Sequence, residues 1–216
     1  MVKSLKSKYS HGYDEIPNRL LKLSPPFTSS PLNCVCNKFL TKGIFTKRLK
    51  LSIIKPLYKE GNKKDVSNSR PVSLLTSFSK IFEKAMQSRL FKHLHNNNIL
   101  RREQYGFWMK LTTENVTYKL INEILNALRS KLMVGGIFYD IEKAFDYVNH
   151  VILTLKLETC GITGIDKELY ESHLKGRYQR VLAYNKTHHF SPLSNWTLIK
   201  HGVKQSSILG PLLFLL

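Results

Sequence analysis

The sequence predicts an α+β domain in which several helices pack against a modest sheet. Apolar residues recur every three to four positions in several segments, which is typical of amphipathic helices. Short apolar runs between these segments are typical of strands. Hydrophobic residues make up 42% of the 216-residue chain, which is enough to form the core of one large domain or of two closely packed ones.

The helices are predicted from the spacing of apolar side chains. Residues 78–94 and 113–128 each place apolar side chains on one helical face. Shorter helices are predicted at residues 148–157 and 166–176, because the same spacing recurs there over fewer turns. In contrast, three prolines in "SPPFTSSP" at 24–31 predict an extended or turning path.

The strands are predicted from three short apolar runs. The first, "LKLSIIKPLYK" at 49–59, leads into a basic loop, "KEGNKKDVSNSRP", at 59–71. The second is "KLMVGGIFYD" at 131–140. The third, "RYQRVLAYN" at 177–185, turns at "NKTH" toward a further strand, which is a hairpin-like pattern.

The charge of the chain points to a polyanionic partner. Lys and Arg number 34 against 15 Asp and Glu, which gives a formal net charge of +19. Such an excess is typical of proteins that neutralise phosphates. An anionic membrane surface is the alternative, but no basic amphipathic helix and no apolar run of about 20 residues is present. We therefore favour nucleic acid over a membrane.

The cellular compartment is predicted from two features. The N-terminal segment "MVKSLKSKYS" is basic but has no apolar core like that of a secretory signal. The three cysteines, Cys34, Cys36 and Cys160, have no Cys-x-x-Cys spacing and indicate free thiols in a reducing environment. We therefore expect an intracellular protein, with nucleus and cytoplasm both possible.

The segment "IFYDIEKAFDYVNH" at 137–150 is the candidate site for chemistry. A strand that ends in Asp140 would hold a hard-metal ligand rigidly at an open edge, but Asp140 also fits the plain end of a buried strand. Asp146 is predicted to cap a helix that begins at Tyr147. Two-metal phosphoryl transfer needs more carboxylates than Asp140, and no Asp-Asp pair follows in the sequence.

Seven motifs occur in one order along the chain. They are "GYDEIP" at 12–17, "IIKPLYKEG" at 53–61, "SRPVSLL" at 69–75, "FSKIFEKAMQSRL" at 78–90, "QYGF" at 104–107, "YDIEKAFDYVNH" at 139–150 and "GVKQSSILGPLLF" at 202–214. Together they resemble the reverse transcriptase domain of non-LTR (LINE-type, jockey-like) retrotransposons. A single motif would be weak, but seven in order are specific.

The resemblance implies a right-hand polymerase fold with fingers, an incomplete palm and no thumb. Residues 1–50 would lead into the fingers, 51–110 would form the fingers and 111–216 would form part of the palm. The implied activity is RNA-directed DNA synthesis on an RNA template and a DNA primer. The implied substrates are deoxynucleotides, and the implied cofactor is Mg²⁺.

The resemblance also assigns roles to single residues. Asp140 matches the first metal-binding aspartate, and the backbone carbonyl of Ile141 would contact the second ion. Phe145 matches the aromatic residue that excludes a ribose 2′-hydroxyl, and Gln205 matches the glutamine of the nucleotide pocket. Three cations of the fingers motifs would meet template or triphosphate: Lys55, Lys59 and Arg70.

The sequence departs from the family pattern at several positions. Lys204 and Ser206 in "GVKQSS" replace a usual proline and a usual glycine. Trp108 follows "QYGF" where arginine is usual, and Ser69 stands where an aromatic residue is common. The family's aromatic-x-Asp-Asp hairpin and its thumb would lie beyond Leu216, so we expect a truncated domain that is inactive alone.

Two other hypotheses remain open. One is a non-catalytic, basic RNA- or DNA-binding remnant, which the net charge of +19 favours. The other is a relic that does not fold, because the predicted strand before Asp140 would lack its hairpin partner and leave a sheet edge exposed.

Overall fold

The computed structural model describes residues 1–62, 65–101, 103–107, 111–183 and 192–216. Trp108, Lys63 and Lys64 of the basic loop, and the predicted turn at 185–188 lie outside the described residues. In the part described, the chain forms α-helices around one four-stranded sheet. None of the helices in this part is long and apolar enough to cross a membrane.

The helices and strands alternate irregularly along the chain. The helices are α1 (Asn18–Leu23), α2 (Pro25–Lys42), α3 (Ser77–Asn96), α4 (Thr113–Arg129), α5 (His150–Thr159), α6 (Gly164–Leu174) and α7 (Gly210–Phe214). The strands are β1 (Leu51–Tyr58), β2 (Ser69–Leu74), β3 (Arg177–Val181) and β4 (Thr197–Ile199). Short 3₁₀ turns lie at Val2–Ser4, Lys47–Lys50 and Val66–Asn68. The predicted α+β class is confirmed.

The sheet has the strand order β2-β1-β3-β4. β1 pairs antiparallel with β2, with Ile53 opposite Leu74, and parallel with β3, with Leu51 opposite Tyr178. β3 and β4 are antiparallel, so the strand pair predicted after residue 177 is confirmed. The parallel pair β1–β3 places the basic β1–β2 hairpin beside the C-terminal quarter of the chain.

Helix α3 is the centre of the hydrophobic core. Thr76 caps its start, because its side chain accepts a hydrogen bond from the Ser79 amide at 3.1 Å. Leu90 and Leu94 are buried on its inner face and pack in one cluster with residues of α5 and α6. Each fully buried leucine stabilises the fold by about 2 kcal/mol. The helix predicted at 78–94 is confirmed, and it is core scaffold.

The extended path predicted for residues 24–31 is wrong, because these residues begin α2. Pro25 and Pro26 occupy its first turn, where a missing backbone N–H costs nothing and the fixed φ favours the helix. Ser24 O accepts the amides of Phe27 and Thr28 at 3.0 Å each, which closes that turn. Pro31 lies inside the helix. Position in the first turn therefore explains why Pro25 and Pro26 do not break the helix, and Pro31 has no such explanation.

The strand predicted at 131–140 is also wrong. These residues have no regular secondary structure and are exposed, with Phe138 at 86%. A strand needs a neighbour that pairs with its backbone groups, and none of the four described strands lies beside this segment. The preceding helix α4 agrees with the prediction in position but has no buried residue.

The N-cap residue of α5 differs from the predicted one. Asn149 is the N-cap, because its side-chain oxygen accepts the amides of Val151 at 2.8 Å and Ile152 at 3.3 Å. The helix begins at His150 rather than Tyr147. The cap predicted for Asp146 is therefore wrong, and its carboxylate is available for another role.

Candidate functional site

Asp140 lies in the exposed segment that joins α4 to α5. Its neighbours Tyr139 and Ile141 are 87% and 68% exposed. Within the described ranges, no three His, Cys, Asp or Glu side chains lie close enough together to hold a metal ion. The structure therefore places Asp140 and the Ile141 carbonyl outside any cluster of metal ligands in that part of the chain.

The turn after Asp140 pairs with the loop that carries Gln205. The amide of Gly202 donates to Val148 O, and the amide of Val203 donates to Phe145 O, both at 2.8 Å. Gly202 has a φ of +86°, and a Cβ at this position would lie 2.8 Å from Asp146 O. Only glycine fits such a close backbone approach at a positive φ. Two motifs distant in the sequence therefore meet here.

Phe145 joins three of the sequence motifs in one aromatic cluster. Its ring stacks on Phe214 with centroids 4.7 Å apart, and it meets Phe107 edge-to-face at 5.7 Å. Phe107 ends "QYGF", and Phe214 ends "GVKQSSILGPLLF". Such ring pairs each stabilise by about 1 kcal/mol beyond their burial. The cluster therefore fixes the relative positions of the three motifs.

A cleft of about 270 Å³ opens where the turn at Asp146 meets the loop of Gln205. Its lining includes Gln205, Asp146, Gln179 and His201, together with these residues of the β1–β2 hairpin: Ile54, Pro71 and Ser73. Burial raises the pKa of Asp146, and nearby Lys143 opposes that rise. The cleft thus combines the Asp146 carboxylate, the Lys204 amine and several other hydrogen-bonding groups, a set suited to a polar ligand.

The predicted fingers cations lie elsewhere on the sheet. Lys55 and Arg70 belong to the face of the β1–β2 hairpin opposite Ile54, since side chains alternate along a strand and Leu57 pairs with Arg70. Lys59 lies just beyond β1 and forms an ion pair with Glu60 at 2.8 Å. The structure therefore joins the turn of Phe145 to the loop of Gln205. It places Lys55, Lys59 and Arg70 on an exposed surface that does not line the cleft.

A buried ionic cluster lies behind the loop of residues 202–208, which carries Gln205 and is called the cleft loop below. Glu83 of α3 is 0% exposed; it accepts a hydrogen bond from His173 Nε2 at 3.2 Å and lies 3.7 Å from Arg177 Nη2. Although burial alone would raise the pKa of Glu83, His173 and Arg177 lower it below its ordinary value. Burial and the charge of Arg177 lower the pKa of His173 to about 4, so a neutral imidazole donates to the carboxylate at pH 7.

Lys204 extends inward from the cleft loop toward the same cluster. Its side-chain nitrogen donates to the hydroxyl of Ser52, a fully buried residue of β1. Burial, followed by repulsion from Arg177, lowers the pKa of Lys204 to about 6, and Glu83 opposes this shift. Lys204 is therefore mostly neutral at pH 7.

Ser206 adopts a backbone conformation that glycine favours. Its φ is +75°, in the left-handed region where a Cβ is crowded. The next residue, Ser207, is held differently, because its hydroxyl donates to Lys204 O at 2.8 Å and accepts from the Gly210 amide at 2.9 Å. The resemblance described above implies glycine at this position, and the positive φ gives a physical reason for it.

Ser206→Gly is therefore expected to raise the free energy of unfolding by about 1 kcal/mol, because it removes the strain of a positive φ. Urea unfolding followed by circular dichroism measures this change. The matched control is Ser207→Gly, which removes two hydrogen bonds and is expected to lower the free energy of unfolding by about 1–2 kcal/mol. Equal effects of the two substitutions would contradict the prediction.

Comparison with known families assigns the chain. The model of the family described as "Reverse transcriptase (RNA-dependent DNA polymerase)" matches residues 61–216. The chain belongs to this family. The match includes the cleft loop, the aromatic cluster and the segment around Asp140, so the motifs that meet in the structure are parts of a reverse transcriptase domain.

Curated relatives of this reverse transcriptase chain come from transposons. It is 32% identical over 206 residues to a probable RNA-directed DNA polymerase from transposon X-element of Drosophila melanogaster, which is 95% of this chain and 22% of that protein. It is 32% identical to the corresponding protein from transposon BS of the same species, over 99% of this chain and 23% of that protein. It is 31% identical to the RNA-directed DNA polymerase from mobile element jockey of Drosophila funebris, over 99% of this chain and 23% of that protein. The chain spans less than a quarter of the length of these relatives.

Two features of the cleft and its surroundings were not predicted from sequence. The role of Asp146 in lining the cleft was missed because it was assigned to a helix cap. Glu83 was missed although a signal exists: it lies three and seven residues before Met86 and Leu90, on the apolar face of α3. A charged residue on such a face is buried and needs partners. A magnesium site around Asp140 is not assembled by the described residues.

Proposed function

We propose that this chain contributes the fingers and part of the palm of a right-hand RNA-directed DNA polymerase. In this proposal residues 1–50 lead into the fingers, residues 51–110 form the fingers and residues 111–216 form part of the palm. The main support is one observation: the turn of Phe145 and the loop of Gln205 pair through Gly202 at a cleft also lined by the β1–β2 hairpin.

The proposed ligand of the cleft is a deoxynucleotide in contact with an RNA template and a DNA primer. Gln205 would offer its amide to the sugar or base, and Phe145, fixed by its two aromatic neighbours, would limit the space beside the sugar. Lys55, Lys59 and Arg70 would neutralise phosphates of the template on the outer surface of the hairpin. Their exposure fits a contact with an extended backbone.

Asp140 and the Ile141 carbonyl are proposed as the part of a Mg²⁺ site that this segment contributes. Asp140 alone does not provide the ligands for two ions, which two-metal phosphoryl transfer requires. We therefore propose that the 216-residue polypeptide by itself binds substrates without extending a primer.

The proposal is tested by titrating the polypeptide with a fluorescently labelled deoxynucleoside triphosphate. Gln205→Leu is expected to weaken binding roughly tenfold, because it removes the hydrogen-bonding amide at constant size. Gln104→Leu, the same substitution outside the cleft, is expected to leave the affinity unchanged. Equal affinities of wild type and Gln205→Leu would contradict the assignment of the cleft.

A primer-extension assay on an RNA template completes this test. No extension by the polypeptide is expected, with or without Asp140→Asn. Extension that Asp140→Asn abolishes would show that the polypeptide is a complete catalyst and would overturn the proposed inactivity, while supporting the role of Asp140.

The second candidate function is a non-catalytic, basic RNA- or DNA-binding protein. The observation that favours it is the net charge of +19. It predicts binding to single-stranded RNA and DNA of any sequence, weakened by roughly a thousandfold between 50 and 200 mM salt, with no binding of free deoxynucleotides. Fluorescence anisotropy at four salt concentrations measures the slope, and binding that is insensitive to salt would exclude this function.

A further inference from the structure

We infer that Glu83 and Gln87 of α3 are positioning residues. They bind the backbone N–H and C=O of Ile208 and thereby fix the loop that presents Gln205 to the cleft. The inference deepens the proposed function and rests on it for the role of Gln205. The contacts themselves are independent of that role.

The two side chains bind both backbone groups of one residue. The amide of Ile208 donates to Glu83 Oε2 at 2.9 Å, and Gln87 Nε2 donates to Ile208 O at 3.0 Å. Residues four apart on a helix lie on one face, one above the other. Glu83 and Gln87 therefore replace, for Ile208, the acceptor and donor that a neighbouring strand would offer.

The orientation of Glu83 is fixed by two other elements. Its second oxygen, Oε1, accepts from His173 of α6 and faces Arg177 of β3. Arg177 in turn donates to His173 O at 3.0 Å. Because the carboxylate is held on one side by α6 and β3, its other oxygen offers Ile208 an acceptor at a fixed place. One side chain thus links the sheet, two helices and the cleft loop.

The loop is tied at both ends, and Gln205 lies between the ties. At one end Val203 donates to Phe145 O at 2.8 Å, and at the other Ile208 is held by α3. Inside the loop the Ser207 amide donates to Lys204 O at 3.2 Å. Loss of the tie at Ile208 would leave the loop anchored on one side, through residues 202–204, and by its own hydrogen bonds. Gln205 would then sample more positions and bind a cleft ligand less well.

The test compares two double variants, because removal of Glu83 alone leaves Arg177 unpaired in the core. Glu83→Gln with Arg177→Met removes the charge pair and keeps a side-chain oxygen for the Ile208 amide. Glu83→Leu with Arg177→Met has a similar volume and no acceptor. Amide hydrogen exchange is expected to be roughly tenfold faster at Ile208 and its loop neighbours in the Leu variant than in the Gln variant. Equal exchange in the two variants would overturn the inference.

A single variant gives an independent measurement. Gln87→Met removes the donor to Ile208 O on a partly exposed side chain and leaves the ionic cluster intact. It is expected to accelerate exchange within the loop by about threefold without changing exchange in α6. Leu94→Val, at the far end of α3, is the control for general destabilisation and is expected to leave the loop unchanged relative to the rest of the protein. Loop-specific acceleration in Leu94→Val, or none in Gln87→Met, would contradict the inference.

Nucleotide affinity then connects the loop to its role. The Leu double variant is expected to bind the labelled deoxynucleoside triphosphate roughly tenfold more weakly than the Gln double variant. If the wild-type polypeptide binds no deoxynucleotide, the proposed function fails, and hydrogen exchange still decides whether Glu83 and Gln87 position the loop.

Discussion

Glu83→Ala is expected to lower the free energy of unfolding by about 3–5 kcal/mol, the largest effect of any substitution considered for this chain. The change removes a fully buried carboxylate and leaves three groups without their partner: Arg177, His173 and the Ile208 amide. An unpaired buried charge and an unpaired buried donor are each costly, which explains the size of the loss. Urea unfolding at pH 7, followed by far-ultraviolet circular dichroism, measures it.

Two comparisons separate the causes of this loss. Glu83→Gln keeps an acceptor and removes the charge, so we expect a smaller loss of about 2 kcal/mol. Lys167→Ala breaks the exposed ion pair with Glu158 and is expected to cost under about 1 kcal/mol. A loss below about 1 kcal/mol for Glu83→Ala would show that the cluster does not stabilise the fold.

The ionic cluster also predicts how stability depends on pH. The pKa of His173 is about 4 in the folded chain against an ordinary 6.5, so between these values only the unfolded chain takes up this proton. The lowered pKa of Glu83 acts in the same direction, and its contribution is present above the ordinary carboxyl pKa and lost below the folded one. Stability is therefore expected to fall as the pH decreases from about 6.5.

Lys204→Met is expected to raise the free energy of unfolding by about 2–3 kcal/mol at pH 7. The pKa of Lys204 is about 6 in the folded chain against 10.5 ordinarily, so at pH 7 only the unfolded chain gains the energy of protonation. Methionine has a similar length and no charge. It loses the hydrogen bond to Ser52, a cost of about 1 kcal/mol, which is smaller than the gain.

The pH dependence identifies the cause of this stabilisation. With Lys204 present, the free energy of unfolding is expected to rise between about pH 6 and pH 10, because the unfolded chain alone holds the lysine proton in this window. Lys204→Met should make that rise smaller. Lys175→Met, which removes a more exposed lysine paired with Glu171, is expected to change stability by under about 0.5 kcal/mol and to leave the slope intact. Identical slopes for Lys204→Met and wild type would refute the explanation.

Local patterns in the sequence were sufficient for the elements with a regular apolar face. Helix α3 and strand β1 follow from the spacing of their apolar residues, and the antiparallel pair β3–β4 follows from its hairpin-like pattern. The prediction of a strand at 131–140 was wrong because a strand needs a pairing neighbour from elsewhere in the chain, which periodicity does not reveal. The extended path predicted for residues 24–31 was wrong because the effect of a proline depends on its position within the helix.

The residues of the candidate site were likewise predicted only in part from the sequence. Resemblance in the motifs selected Phe145 and Gln205. The structure places Gln205 in the lining of one cleft and joins the backbone of Phe145 to the same loop, although their functional roles stay predictions. The involvement of Glu83, Lys204 and Asp146 depends on three-dimensional neighbours that lie far away in the sequence. Their burial and shifted pKa values arise only when α3, β3 and the cleft loop pack together.

The parallel pairing of β1 with β3 has a consequence for how the chain is made. Ser52 donates to Tyr178 O at 3.5 Å across 126 positions of sequence. At about 5 to 20 residues per second, β1 leaves the ribosome about 6 to 25 s before β3. During that interval β1 and β2 form only a two-stranded hairpin, which is marginal in water and has an open edge. The nascent chain therefore passes through a period in which its own sheet cannot yet cover this edge.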